Sequence, residues 1–205
     1  MMSSQVRPVE NSHPVGAMPE STSSRKLSDF YVGDSKIHGR GVFANKAFLP
    51  GDMVLEIDDT DPVLDRGKLT PEEEIFIDVF VTMDGEVKVT RMKSPEKFIN
   101  HSCDPNNYVR TDMRSGVRRA WALKNIGIGD ELTWDYALNI WEEWIGPVPC
   151  NCGAENCRKV IRGNYFTLPR EIQRRYRTLL DVPFRRRFAK EIRSLDPSDG
   201  PSDRS

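Results

Sequence analysis

Four cysteines, the whole thiol content of the chain, form one suggestive set. Three fall close together as Cys150-Asn151-Cys152-Gly153 and Cys157, and Cys103 lies far upstream. Cysteines two residues apart are poorly placed to bond each other, but they can grip one metal ion around a tight turn. Zinc accepts four thiolates tetrahedrally, and a closed shell of four leaves no position for water, so such an ion is structural. Two disulfides are the alternative. The stretch Met1 to Ser28 lacks the apolar core of a secretory signal, which places the thiols in a reducing compartment and favours the metal.

A second group is the run Phe98-Ile99-Asn100-His101-Ser102-Cys103-Asp104-Pro105-Asn106. A Cys–His nucleophile pair is conceivable, but neighbouring side chains rarely meet and Cys103 is wanted by the metal. The run reads instead as a loop whose amide and imidazole bond something buried. A third group, His38-Gly39-Arg40-Gly41-Val42-Phe43, sets two glycines about Arg40, where no Cβ hinders a close backbone approach. It lacks the third glycine of a dinucleotide fingerprint and the lysine of a phosphate loop. The fourth, Gly129-Asp130-Glu131-Leu132-Thr133-Trp134-Asp135-Tyr136, reads as a turn and a strand closed by a tyrosine.

The elements that must position these groups are short. Phe30 to Val32, Gly41 to Ala44, Met53 to Ile57, Ile75 to Thr82, Val87 to Val89, Tyr108 to Arg110, Val117 to Leu123 and Leu132 to Trp134 are β-type runs. Turn signals such as Leu49-Pro50-Gly51-Asp52 and Met83-Asp84-Gly85-Glu86 separate them, so a mostly β fold of several small sheets is expected. Thr70-Pro71-Glu72-Glu73 offers a helix start. Beyond Cys157 the pattern turns helical, with Ile172, Tyr176 and Leu179 on one face. Phe184, Phe188, Ile192 and Leu195 share a face of a second segment that Pro183 opens. Both stripes are packing surfaces. The 205 residues, 38% hydrophobic and 30% charged, suit one soluble domain with polar ends, and no stretch is apolar enough to span a membrane.

The formal net charge of −1 conceals an asymmetry. Glu56 to Asp78 carries nine acidic residues against two basic ones, and Arg158 to Arg193 carries twelve basic against three acidic. These are two solvated faces, or else an acidic groove for a basic peptide and a basic surface that touches acid.

Taken in order, Gly39 to Ala44, Phe98 to Asn106, Glu131 to Tyr136 and the trailing cysteines with Arg158 closely resemble the SET-domain lysine methyltransferases. The resemblance covers roughly Asp29 to Arg162. It implies a β-clip-like fold of several small sheets with a threaded pseudoknot, in which the Asn-His-Ser-Cys segment passes beneath a loop near Tyr136, and short C-terminal helices follow. The divisions expected are a flexible tail over 1–28, the SET domain over 29–146, a post-SET zinc segment over 147–163, a helical extension over 164–195 and a loose tail over 196–205. The resemblance also implies S-adenosylmethionine as methyl donor and one structural zinc on Cys103, Cys150, Cys152 and Cys157. Gly39, Arg40 and Gly41 would meet the methionine part, Asn100 and the backbone of His101 the adenosine end, and Tyr136 would stand at the point of methyl transfer. Ile57 stands where many members carry an aromatic residue, and Trp134 where Phe or Tyr is usual. Trp141 and Trp144 could lid the lysine channel or simply pack at a domain edge.

The expected function is methylation of a lysine in a basic protein or peptide, a histone tail among the candidates, inside the cell: nucleus or chromatin in a eukaryote, cytoplasm in a bacterium. The competing reading is a SET-like binding module that has lost turnover and serves as a scaffold. A nucleic-acid-binding zinc protein would rest on the basic C-terminal run alone, so direct nucleic-acid contact is not expected.

Overall fold

The computed structural model describes residues 29–142 and 148–195. Among these residues, five small sheets and four short α-helices make up the fold. Strands β1 (Phe30–Asp34) and β2 (Arg40–Ala44) form an antiparallel hairpin. The central sheet has the order β3–β8–β7, from Met53–Glu56, Arg118–Ala122 and Asn107–Thr111, and a register shift between Met53 and Leu55 bends its edge. Strands β4 (Ile77–Val81) and β5 (Val87–Arg91) form a second hairpin. Near the C-terminal end, β10 (Val148–Pro149) pairs with β11 (Val160–Ile161).

One pairing was not expected. Asn100–His101, read from the sequence as loop, forms a two-residue strand, β6, parallel to β9 (Thr133–Trp134). Two polar residues carry no strand signature of their own. Their conformation is imposed by the partner segment, which also receives the Ser102 amide at the Trp134 carbonyl. Parallel strands need a long connection, so this pairing brings two distant motifs side by side.

Helix α1 (Pro71–Glu74) starts as its sequence requires: the Thr70 hydroxyl accepts from the Glu73 amide, and the Glu73 carboxylate accepts from the Thr70 amide. Helix α2 spans Arg170–Tyr176. Asp181 caps α3 (Val182–Arg187), with Pro183 in the first turn. The expected single helix over Phe184 to Leu195 is broken at Phe188, and α4 (Ala189–Arg193) follows. The break seats the Phe188 ring against Trp141, Phe166 and Phe184.

Two apolar clusters hold these pieces together. Val42, Phe48, Leu55, Ile99, Ala120, Ile126 and Leu132 fill the first, between the hairpin and the central sheet. The second joins Val81, Ala137 and Leu138 to Tyr165, Tyr176, Leu180, Phe184, Ile192 and Leu195. The helical stripes are therefore packing surfaces, and the C-terminal extension is welded to the sheets. A fully buried Phe such as Phe184 contributes on the order of 1.5–3 kcal/mol.

The acidic segment is largely neutralised within the molecule. Asp59 and Asp78 flank the buried Arg118, whose guanidinium also stacks 3.6 Å from the Phe80 ring. Glu56 pairs with Arg119, Asp58 with Lys93 and Glu73 with Arg91. This pairing favours the solvated-face reading of that segment over an open acidic groove.

Candidate active site

A cavity of about 490 Å³ lies where the β1–β2 turn, β6, β9 and the C-terminal extension converge. Gly39, Arg40, Asn100, His101, Trp134 and Tyr136 all reach its wall. Ile57, Phe80 and Phe98 supply apolar lining, and Phe184 of α3 closes one side. The volume falls within the usual range for small-molecule sites, and a largely apolar wall with a few converging polar groups is their common pattern.

Asn100 is the organiser of this wall. Its side-chain amide sits 3.1 Å from the His38 carbonyl, 2.9 Å from the Arg40 carbonyl and 2.7 Å from Glu131 Oε1. The Glu131 carboxylate also accepts from the Ser35 hydroxyl at 2.8 Å. Asn100 thereby holds the glycine-containing turn in place. The two glycines serve different needs. Gly39 adopts φ +50°, a left-handed conformation that suits glycine. At Gly41 a Cβ would fall 2.3 Å from Glu131 Oε1, so the close approach there is by this carboxylate. Gly41 does not line the cavity, whereas Gly39 and Arg40 do.

Tyr136 follows β9 directly. Its hydroxyl donates to the Ile99 carbonyl at 3.0 Å, and its amide donates to His101 Nδ1 at 3.2 Å. Burial, reinforced by the Glu131 charge, pushes the phenol up to about 12. His101 stands edge-on to the Tyr136 ring, and its Nε2 lies 3.4 Å from Cys103 Sγ. An Nδ1 that accepts requires a neutral imidazole with its proton on Nε2. Burial lowers this ring to about 4, outweighing the opposing pull of Asp135, which agrees with a neutral imidazole. The imidazole thus spans from the cysteine cluster to the tyrosine backbone.

The sulfur atoms of Cys103, Cys150, Cys152 and Cys157 all lie within 4.8 Å of one another, and none forms a disulfide. Cys103 Sγ is 3.8 Å from Cys150 Sγ. A tetrahedron with zinc–sulfur bonds of ~2.3 Å has edges of about 3.8 Å, so the donor set suits that ion. Backbone amides point at the sulfurs as they do at thiolates: Arg158 at Cys103, Lys159 at Cys157 and Cys103 at Cys152. Burial resists ionisation of Cys152, yet the amides of Cys103 and Ala154 outweigh it and draw the thiol down to about 7. Burial raises Cys103 to about 11, so a bound cation would supply the charge that makes it a thiolate.

Immediately after the last cysteine, Arg158 reaches back to Asp135, the residue before Tyr136. One guanidinium nitrogen donates to Asp135 Oδ1 at 2.9 Å, and the other sits 2.8 Å from Oδ2, in ionic contact but off the line of a hydrogen bond. Asp135 also accepts from the Ala137 amide. From the extension, the Tyr176 hydroxyl donates to the Cys103 carbonyl at 3.3 Å.

The structure therefore brings Gly39, Arg40, Asn100, His101 and Tyr136 to one cavity and the four cysteines to one cluster beside it. Glu131, Asp135, Arg158 and Tyr176 are further site residues that sequence reasoning did not single out. The only signal was position: Glu131 and Asp135 lie inside the run that ends at Tyr136, and Arg158 directly follows Cys157. Trp141 packs on Phe184 and Phe188. Trp144 lies outside the described residues.

Comparison with known proteins agrees with this geometry. Residues 39–137 match the SET domain family. Histone-lysine N-methyltransferase 2B of Homo sapiens is 36% identical over 149 residues, 67% of this chain and 5% of that protein. Histone-lysine N-methyltransferase trithorax of Drosophila virilis is 33% identical over 159 residues, 70% of this chain and 4% of that protein. The H3 lysine-4 specific enzyme of Schizosaccharomyces pombe is 35% identical over 141 residues, 65% of this chain and 15% of that protein. This chain thus spans only a small part of these relatives' length. Among solved structures, KRYPTONITE in complex with mCHG DNA and SAH superposes loosely: TM-score 0.48, 27% identity, 64% of this chain and 28% of that one.

Proposed function

We propose that this chain is a protein-lysine methyltransferase that uses S-adenosylmethionine and acts on a basic protein segment, with a histone tail as the first candidate. The observation that carries the reading is the meeting of Tyr136 and the Asn100-held glycine turn on one cavity within a SET domain. The relatives named above, all histone-lysine N-methyltransferases, point the same way. For a eukaryotic protein the corresponding location is the nucleus.

When bound, S-adenosylmethionine supplies an electrophilic methyl group on a sulfonium centre. Gly39, Arg40 and Asn100 would hold it, and Cys103, Cys150, Cys152 and Cys157 would hold one zinc ion that pins the end of the SET domain to its middle. The remaining difficulty is the substrate. A free lysine has pKa ~10.4, so about one in a thousand is neutral at pH 7, a cost of roughly 4 kcal/mol. A cavity walled by Ile57, Phe80 and Phe98 disfavours the ammonium by desolvation. Tyr136 remains a neutral phenol at physiological pH. Its hydroxyl donates to the Ile99 carbonyl, and a phenol oxygen can accept as well as donate, here from a substrate N–H, which would orient the amine.

The test is incubation of the protein with labelled S-adenosylmethionine and a panel of histones and peptides, followed by mass spectrometry, with Tyr136→Phe alongside. The wild type should add methyl groups to lysine. The variant should keep its fold and cofactor affinity but turn over about a hundredfold more slowly, roughly 2.7 kcal/mol in the transition state. Cofactor binding without methylation across the panel would leave a SET-like scaffold as the better description, and an unimpaired Phe variant would remove Tyr136 from the chemistry.

A further inference from the structure

We infer that the outer face of the C-terminal helices is a docking surface for the phosphate backbone of duplex DNA. The sequence marked the basic run but not which of its charges the fold would leave in solvent, and on that run alone nucleic-acid contact was not expected. The acids of the 56–78 segment are mostly paired internally, whereas the helical cations face solvent.

The helical geometry collects those cations. At about 100° per residue, Arg186 stands about 160° round α3 from the buried Phe184, and on α4 Lys190 stands about 160° and Arg193 about 100° from the buried Ile192. In α2 the buried Gln173 and Tyr176 leave Arg174 and Arg175 on the outer side. Arg170 opens α2 and lies 3.5 Å from the Ser194 carbonyl, which sets the start of α2 against the end of α4. All six side chains are exposed, and no ion pair involves any of them among the described residues. Glu171 and Glu191 are the exposed carboxylates of α2 to α4, two against the six cations, and Asp181 is buried as a cap.

What the surface lacks identifies its partner. The exposed large hydrophobic residues of the molecule, such as Leu49, Leu64, Ile75, Phe76 and Ile128, all lie elsewhere, and none falls within residues 162–195. Protein partners dock on a buried apolar or aromatic centre, which this face does not offer. A phosphate backbone needs only cations in sufficient number, and binds through counterion release. Five of the six are arginines, whose forked donors match phosphate oxygens in pairs.

Fluorescence anisotropy with a labelled 20-base-pair duplex, titrated with the full chain at several salt concentrations, tests the inference. If most of the six cations engage, log K should fall against log salt with a slope of about −4 to −5. The triple variant Arg174→Gln/Arg186→Gln/Arg193→Gln should weaken binding at least tenfold at low salt. It should also flatten the slope by about 3, with unchanged melting temperature and S-adenosylmethionine affinity. A wild-type slope shallower than about −2, or a variant that binds as well as wild type, overturns the proposal. So does variant-sensitive binding to 3:1 phosphatidylcholine–phosphatidylserine vesicles with none to DNA, which would assign the face to a membrane surface.

Discussion

Replacing Arg158 with Met keeps most of the side-chain volume and removes the charge that faces Asp135. The Asp135 side chain is 0% exposed and that of Arg158 only 13%, so solvent screens their attraction little. Removing one member of a buried, hydrogen-bonded pair leaves the other charged and uncompensated, at a cost of about 3–5 kcal/mol. Among the described residues the Asp135 side chain would retain the Ala137 amide and the neutral imidazole of His101, 3.7 Å away. For a domain of this size each kcal/mol moves the melting temperature by roughly 2–4 °C, so the variant should melt at least ~6 °C lower. The pair also lies next to Tyr136, so turnover should drop more than cofactor affinity. Asp135→Asn combined with Arg158→Met removes both charges and should recover more than half of the lost stability, giving a coupling energy by double-mutant cycle. The measurements are differential scanning calorimetry on the four proteins, with zinc content determined on each. Arg158→Met shifting the midpoint by less than ~2 °C, or the double variant melting below it, would refute a buried pair that positions the Tyr136 segment.

Other substitutions separate the remaining parts of the site. Asn100→Ala should weaken S-adenosylmethionine binding by about 1–3 kcal/mol in calorimetry, because the glycine turn loses the amide that holds the His38 and Arg40 carbonyls. Gly41→Ala places a methyl group 2.3 Å from Glu131 Oε1 and should reduce stability by at least ~1 kcal/mol; pairing it with Glu131→Ala should restore part of the loss, and independent effects would count against the contact. Cys152→Ser should release about one equivalent of zinc by metal analysis together with most cofactor affinity, whereas a full metal complement in the variant would assign the ion to other ligands.

Much of this arrangement was legible in the residues. The strand runs from Phe30 through Trp134 were marked by β-branched and aromatic positions between strong turns. The N-cap at Thr70 and the proline start of α3 are local signals read within a few residues. Asn100 and Tyr136 were legible because each sits in a distinctive run. What stayed hidden depends on partners far along the chain. Nothing near Asn100 shows that its amide will hold the carbonyls of His38 and Arg40, or that Gly41 is small to admit Glu131. The strand character of Asn100 and His101 comes wholly from Thr133 and Trp134. The outcome of charge patterning was likewise non-local, since Arg118 neutralises two members of the acidic run from a different strand.

The bonds from Arg158 and Tyr176 back to residues 103–135 also have a temporal meaning. During synthesis the Asn100–Cys103 segment leaves the ribosome well before its partners. Cys150 is 47 residues later than Cys103, the Arg158 amide 55 and the Tyr176 hydroxyl 73. The nascent chain can close its hairpins early, but the imidazole of His101 and the thiol of Cys103 must wait with their buried faces open. Closing contacts of such separation is slow, and the waiting intermediate exposes apolar surface. Maturation of the cavity is therefore among the last events in the making of this protein, and a chain halted before Cys150 should emerge with folded hairpins and no working site.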